Sequence, residues 1–228
     1  MRKRLFNWHG QRFVYLGLEG EPGLPVPTQA QKLFERAAAE LTSDGLAMDR
    51  NVVRTRVFGR TREDRTVVSD VRAKAFNGKA RAASSSYISP AHFSSGADVA
   101  LDLFAMAEPT DGQSRRVTEH TPPQPFIRHL VWGPMVFLAG MTCEELPTLP
   151  EQYKDVLNRA CVLLHETGCG WKEVVRVSFF LHRQEDPQAL LKGVAATIPV
   201  PLDNTEIELV EGFSRPGKLV EVEITAKR

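Results

Sequence analysis

"VVRTRVFGRTRED", Val52 to Asp64, returns later in the chain as "VVRVSFFLHRQED", Val174 to Asp186. Both stretches open Val-Val-Arg, carry a Phe in the middle and close Glu-Asp. The offset between them is 122 residues (174 less 52), and it extends outward in both directions. Upstream, "FVYLGLEG" (Phe13 to Gly20) falls on "MVFLAGMT" (Met135 to Thr142), and Phe34, Ala38 and Leu41 fall on Val156, Ala160 and Leu163. Such an offset, held through successive elements, marks a tandem duplication. Near the end the register slips: "VALDLFAMA" (Val99 to Ala107) matches "KLVEVEITA" (Lys218 to Ala226) at an offset of 119 (218 less 99).

Each copy reads as the same series of elements. A β-hairpin comes first (4–9 with 12–18; 126–132 with 135–140). An amphipathic helix follows (28–43; 151–167), its apolar residues spaced at the helical period. A β-branched strand comes next (51–58; 173–181). A shorter helix then starts at Asp64 or Asp186 as N-cap, the second with Pro187 in its first position. Two strands close each copy (81–88 with 99–107; 205–211 with 219–226). The order ββαβαββ predicts an α+β layer, one sheet with two helices on one face, built twice. Unit boundaries are expected at 1–107 and 126–228. The polar, proline-bearing stretch 108–125 reads as a linker.

The 228 residues carry 29 basic and 28 acidic side chains, a net charge of +1 that gives no general pull toward nucleic acid or anionic lipid. No apolar run reaches the roughly 18 residues of a membrane span, and "MRKRLFNWHGQ" has no apolar core behind its basic start. Cys143, Cys161 and Cys169 form no CxxC. Neither a disulfide framework nor a zinc site is indicated, and a reduced, cytoplasmic protein is expected. The six histidines show no ligand spacing on a common element, so neither metal nor cofactor is expected.

The hairpin "MVFLAGMT", the segment "GCGWKEVVRVSFFLHRQED" (Gly168 to Asp186) and the closing "LVEVEITA" resemble the RidA/YjgF family, once in each half. The resemblance implies a chorismate-mutase-like unit, assembly as trimers (here of two-unit chains) and ligand clefts between units. It also implies hydrolysis of reactive enamine or imine metabolites that carry a carboxylate. In active members an Arg on the penultimate strand grips that carboxylate, and a Glu on the last strand positions the attacking water. A planar guanidinium suits the first role because it donates two parallel hydrogen bonds.

Carried onto this chain, the resemblance places Arg81 of "GKARAASSSYI" at the substrate-binding Arg position. At the 119 offset Phe104 takes the Glu position of the first half, with Asp102 two residues before it. The second half has Asp203 opposite Arg81, while Glu223 keeps the Glu position and Glu221 precedes it on the same strand face. Each copy then holds half of the pair, and a cleft shared between the halves is expected. Arg215, in "EGFSRPGKLVEVE", offers a second anchor and resembles the C-terminal half of the two-halved chorismatases, which hydrolyse chorismate. On that alternative Glu223 is the general acid. Tyr15 and Cys143 are expected to line the cleft. A third reading is a non-catalytic small-molecule binder with degenerate sites.

Plainer readings stand beside these. Alternation alone would place Glu221 and Glu223 on the polar face of an amphipathic strand. Arg81 and Arg215 could form surface ion pairs. Arg54 and Arg176, repeated at mid-strand, read as structural partners of neighbouring carboxylates. No aromatic-plus-basic surface suggests nucleic-acid binding.

Overall fold

The computed structural model describes residues 1–228 apart from 110, 111, 113, 202 and 203, so Asp203 lies outside the described residues. In the first half β1 (Arg2–Trp8) and β2 (Gln11–Glu19) form a hairpin. They are followed by α1 (Val26–Ser43), the single-turn α2 (Met48–Asn51), β3 (Val52–Gly59), α3 (Arg62–Ala75), β4 (Ala83–Ile88) and β5 (Val99–Met106). These strands make one five-stranded sheet in the order β1-β2-β5-β3-β4. Only β3 and β4, joined through α3, run parallel.

The second half repeats the plan with β7 (His129–Trp132), β8 (Met135–Leu138), β9 (Met141–Thr142), α4 (Leu149–Glu166), β10 (Val174–His182), α5 (Pro187–Thr197), β11 (Thr205–Val210) and β12 (Val220–Lys227). Its sheet runs β11-β10-β12-β8-β7, with β9 beside β12. One further strand joins it: β6 (Arg116–Thr118), inside the stretch read as linker, pairs antiparallel with β7.

Helix starts follow local chemistry. Asp186 caps α5, its side chain accepting from the Gln188 amide. At α3 the cap is Thr61 rather than Asp64. Thr61 accepts from the Asp64 amide while the Asp64 carboxylate accepts from the Thr61 amide, so Asp64 is the third residue of a capping box.

One face of each sheet buries its own helices. Val14, Leu16, Leu33, Leu41, Val57 and Leu101 lie in the first such core, and Leu138, Val156, Leu164, Phe179, Val222 and Ile224 in the second. The opposite faces pack against each other. Phe13, Met106, Leu130 and Phe137 form one cluster there, and Phe58, Tyr87, Phe180 and Phe213 another. The Tyr87 ring, from the first half, stacks on Phe180, from the second, at 3.8 Å. Residues 54, 56 and 58 of β3, and 221, 223 and 225 of β12, project into this layer.

Candidate site between the halves

The strand register fixes which residues of the two halves are equivalent. Arg56 of β3 pairs with Asp102 of β5, and Ser178 of β10 pairs with Glu223 of β12. Because 56 and 178 are 122 apart, Asp102 corresponds to Glu223, at an offset of 121 (223 less 102). The 119 alignment is therefore two residues out. Phe104 corresponds to Thr225, both halves keep an acid at this position, and the picture of one acid shared between them gives way to two.

The two acids sit in different surroundings. Glu223 is buried, its side chain 1% exposed. Its Oε2 accepts from Arg56 Nε at 2.9 Å and Arg56 Nη2 at 2.7 Å, and its Oε1 accepts from the Ser85 hydroxyl. Burial alone would raise its pKa. The Arg56 and Arg54 guanidiniums and the hydrogen bonds from Arg56 and Ser85 outweigh that and bring it to about 2. Asp102 accepts from the Tyr15 hydroxyl at 2.9 Å. His92 Nε2 is 3.8 Å from it. Burial is its largest influence and its pKa is raised. Two residues before Glu223, Glu221 accepts from the Tyr87 hydroxyl at 3.1 Å. Burial, then the charge of Glu223, push Glu221 to about 7.

An acid of one half and guanidiniums of the other thus meet, but the guanidiniums are those of Arg54 and Arg56. Arg81 donates instead to Glu119 and to the Gln124 carbonyl. Arg215 is exposed, with Nη1 2.7 Å from Glu144 Oε1. Neither joins Glu223. Tyr15 belongs to the Asp102 cluster, its ring 5.1 Å from that of Phe104. Cys143 packs against the second core.

A cavity of about 390 Å³ opens beside Glu223. Phe6, Trp8, Phe13, Phe104 and Phe137 line one part of it; Arg54, Arg56, Arg176, Ser178, Glu206 and Glu223 are among the residues that line the rest. The Arg56 guanidinium lies 4.9 Å from the Phe180 ring centre, and Arg176 lies 5.8 Å from that of Phe104. Arg176 and Ser178 both donate to Glu206. Burial would raise Glu206, but its hydrogen bond and charge interaction with Arg176 lower it on balance.

Arg54 is the unusual member. Its Nη2 donates to the Ile224 carbonyl at 2.9 Å. Its Nη1 lies 3.1 Å from Glu223 Oε2 but without hydrogen-bond alignment, so this buried donor has no acceptor. A buried N–H of a charged group left without an acceptor is costly, and here the residue that carries it faces a cavity.

The sequence signal for this site is the alternation of Arg54 and Arg56 along one strand; the structure adds that all eight residues of that strand are buried. Two arginines on one face of such a strand must meet acids or a ligand there.

Over most of its length the chain has the fold of a chorismatase of known crystal structure. The match has a TM-score of 0.65 at 15% identity and covers 97% of this chain and 78% of that one. The fold is RidA/YjgF-like, twice over. A YjgF/YER057c/UK114-family protein of Mycobacterium tuberculosis matches 50% of the chain over 100% of its own length (24% identity, TM-score 0.43). A YjgF-family protein of Neisseria meningitidis matches 50% of the chain over 95% of its own (26% identity, TM-score 0.44). No family model and no curated protein matches the chain. No helix among the described residues is long and apolar enough to cross a membrane.

Proposed function

We propose that the cavity between the halves binds a small unsaturated carboxylate and that the chain is a hydrolase or deaminase of the RidA/YjgF kind, acting on an imine or enamine. The observation that carries this reading is a cavity lined by three guanidiniums, Arg54, Arg56 and Arg176, beside a wall of aromatic rings. A substrate carboxylate would meet the partly exposed Arg176 there and be oriented by it. The aromatic side chains would cover the unsaturated body and keep out water. Glu223, held ionised by Arg56, serves as the anchor that fixes both β3 arginines rather than as a proton donor. Glu206, ionised at the cavity wall, is the group able to hold a water against the C=N carbon. Water adds to that carbon and one of its protons passes through Glu206 to the nitrogen; the C–N bond of the resulting carbinolamine then breaks, its hydroxyl proton passing by the same route to the departing amine as the carbonyl forms.

The test is ammonia release from an α-imino acid generated in situ, with wild type against Glu206→Gln and Arg54→Met. Turnover by wild type, lost in Glu206→Gln while carboxylate binding persists, supports the hydrolase. Saturable carboxylate binding with no turnover leaves the binder reading.

The second reading, a chorismatase-like hydrolase, draws on the fold match over nearly the whole chain. Enol ether hydrolysis needs a proton donor near neutrality, which Glu221 would provide better than Glu223. Consumption of chorismate, abolished in Glu221→Gln, would favour it. For assembly, the exposed Leu5 and Phe6 on edge strand β1 are compatible with further copies packing there. A trimer of two-unit chains, in the cytoplasm, is the proposed state, and light scattering tests the assembly.

A further inference from the structure

A second cavity, of about 710 Å³, lies away from Glu223, where the start of β2, the α1–α2 turn and the segment before β6 converge. Its wall includes Arg115, whose guanidinium is held, among the described residues, by main-chain carbonyls. Nη1 donates to Lys79 O at 2.6 Å, and Nη2 donates to Val52 O at 3.1 Å and to Arg81 O. Its Nε is buried and has no acceptor among the described residues. No carboxylate among the described residues pairs with it, and burial lowers its pKa to about 10.

A partly buried cation without a counter-charge is unfavourable unless something compensates for lost water. Carbonyl dipoles do so in part. Among the described residues the rest of the wall repeats the same sign: Arg12, Arg50 and Lys79 face the cavity, against two carboxylates, Asp49 and Glu108. Arg12 donates to the Asp44 main-chain carbonyl, a neutral acceptor, at 3.2 Å. Trp132 and Leu46 supply apolar wall.

We infer that this cavity is a binding site for a phosphorylated small molecule. Arg115 forms its fixed floor, and Arg50 and Lys79 close on the phosphate from the rim. The excess of cations suits a dianion better than a single carboxylate, and the volume and the Trp132 ring leave room for an organic body. The site is separate from the one at Glu223, and nothing in its chemistry depends on the reaction there.

Isothermal titration calorimetry at constant ionic strength tests it, with inorganic phosphate and glucose 6-phosphate as probes and chloride as the control. Saturable binding of the phosphate monoester is expected, about tenfold weaker in the Arg50→Gln/Lys79→Gln double variant, whose positions are exposed and should leave folding intact. Arg115→Gln should abolish binding; if that variant does not fold, the double variant alone decides. Heats that do not saturate or that match the chloride control, or equal affinity in wild type and the double variant, would overturn the inference.

Discussion

Arg56 and Glu223 belong to opposite halves of the chain yet meet through two hydrogen bonds, 2.9 Å and 2.7 Å, in a layer where neither side chain is more than 7% exposed. Removing one partner leaves the other charged, buried and unsatisfied. Glu223→Gln is therefore expected to cost roughly 3–5 kcal/mol in chemical denaturation. Arg56→Met alone should cost a comparable amount. The double variant should cost clearly less than the two together, because the Arg56 charge that Glu223→Gln strands is gone while Arg54 loses Glu223 in both backgrounds. Additive losses would show that the pair does not couple the halves.

The titration of Glu221 gives stability a pH dependence of known sign. Its folded pKa, about 7, lies above the ordinary carboxylate value of 4.5, so the folded chain holds a proton that the unfolded chain releases. Between those values stability must fall as pH rises. For Glu223 the folded value of about 2 lies below 4.5, so its contribution is present above 4.5 and lost as pH falls below it. Glu221→Gln should flatten the decline between pH 4.5 and 7, a change on the order of 3 kcal/mol across that window. Denaturation midpoints across that range measure it; an unchanged slope in Glu221→Gln would count against a protonated Glu221.

The doubled fold was legible because apolar period, cap chemistry and spacing recur together, and no single element had to carry the inference. The closing strand was misaligned for a definite reason. Strand patterns repeat every two residues, so a slip of two leaves every side chain on its proper face. Offsets of 119 and 121 satisfy the same alternation, and only the pairing of Arg56 with Asp102 and of Ser178 with Glu223 separates them. Arg54 and Arg176 do pair with carboxylates, Glu223 and Glu206, as their repetition at mid-strand suggests; that the Arg54 pair is buried between two sheets is a tertiary property, invisible in one strand's sequence. Arg81 was drawn to the site by its motif, whereas its actual partner, Glu119, sits in the stretch read as linker.

Arg176 offers a way to weaken ligand binding without touching the buried ion pair. It is partly exposed and bonded to Glu206. Arg176→Gln should lower affinity for a small unsaturated carboxylate about tenfold while shifting stability by no more than about 0.5 kcal/mol. Phe104→Leu, which removes a ring shared by the cavity and Tyr15, should discriminate: affinity for aromatic carboxylates should fall and that for acetate should not. Equal losses for both would argue that the ring does not contact the ligand body.

Gly140 tests how closely the halves approach. Its amide donates to the Ser84 carbonyl across the interface at 3.3 Å. A Cβ there would stand 2.1 Å from Glu221 Oε1 and 3.0 Å from Ser85 Cβ, closer than atoms in contact allow. Gly140→Ala must displace the Glu221 carboxylate or part the two sheets, at a cost of roughly 1–3 kcal/mol. Gly96→Ala is the control, since its Cβ would meet nothing nearer than Pro22 at 3.7 Å. Measured again in a Glu221→Ala background, the Gly140→Ala cost should drop, because the carboxylate that blocks the methyl is absent. A cost that stays the same would place the strain at Ser85 and the backbone instead of at Glu221.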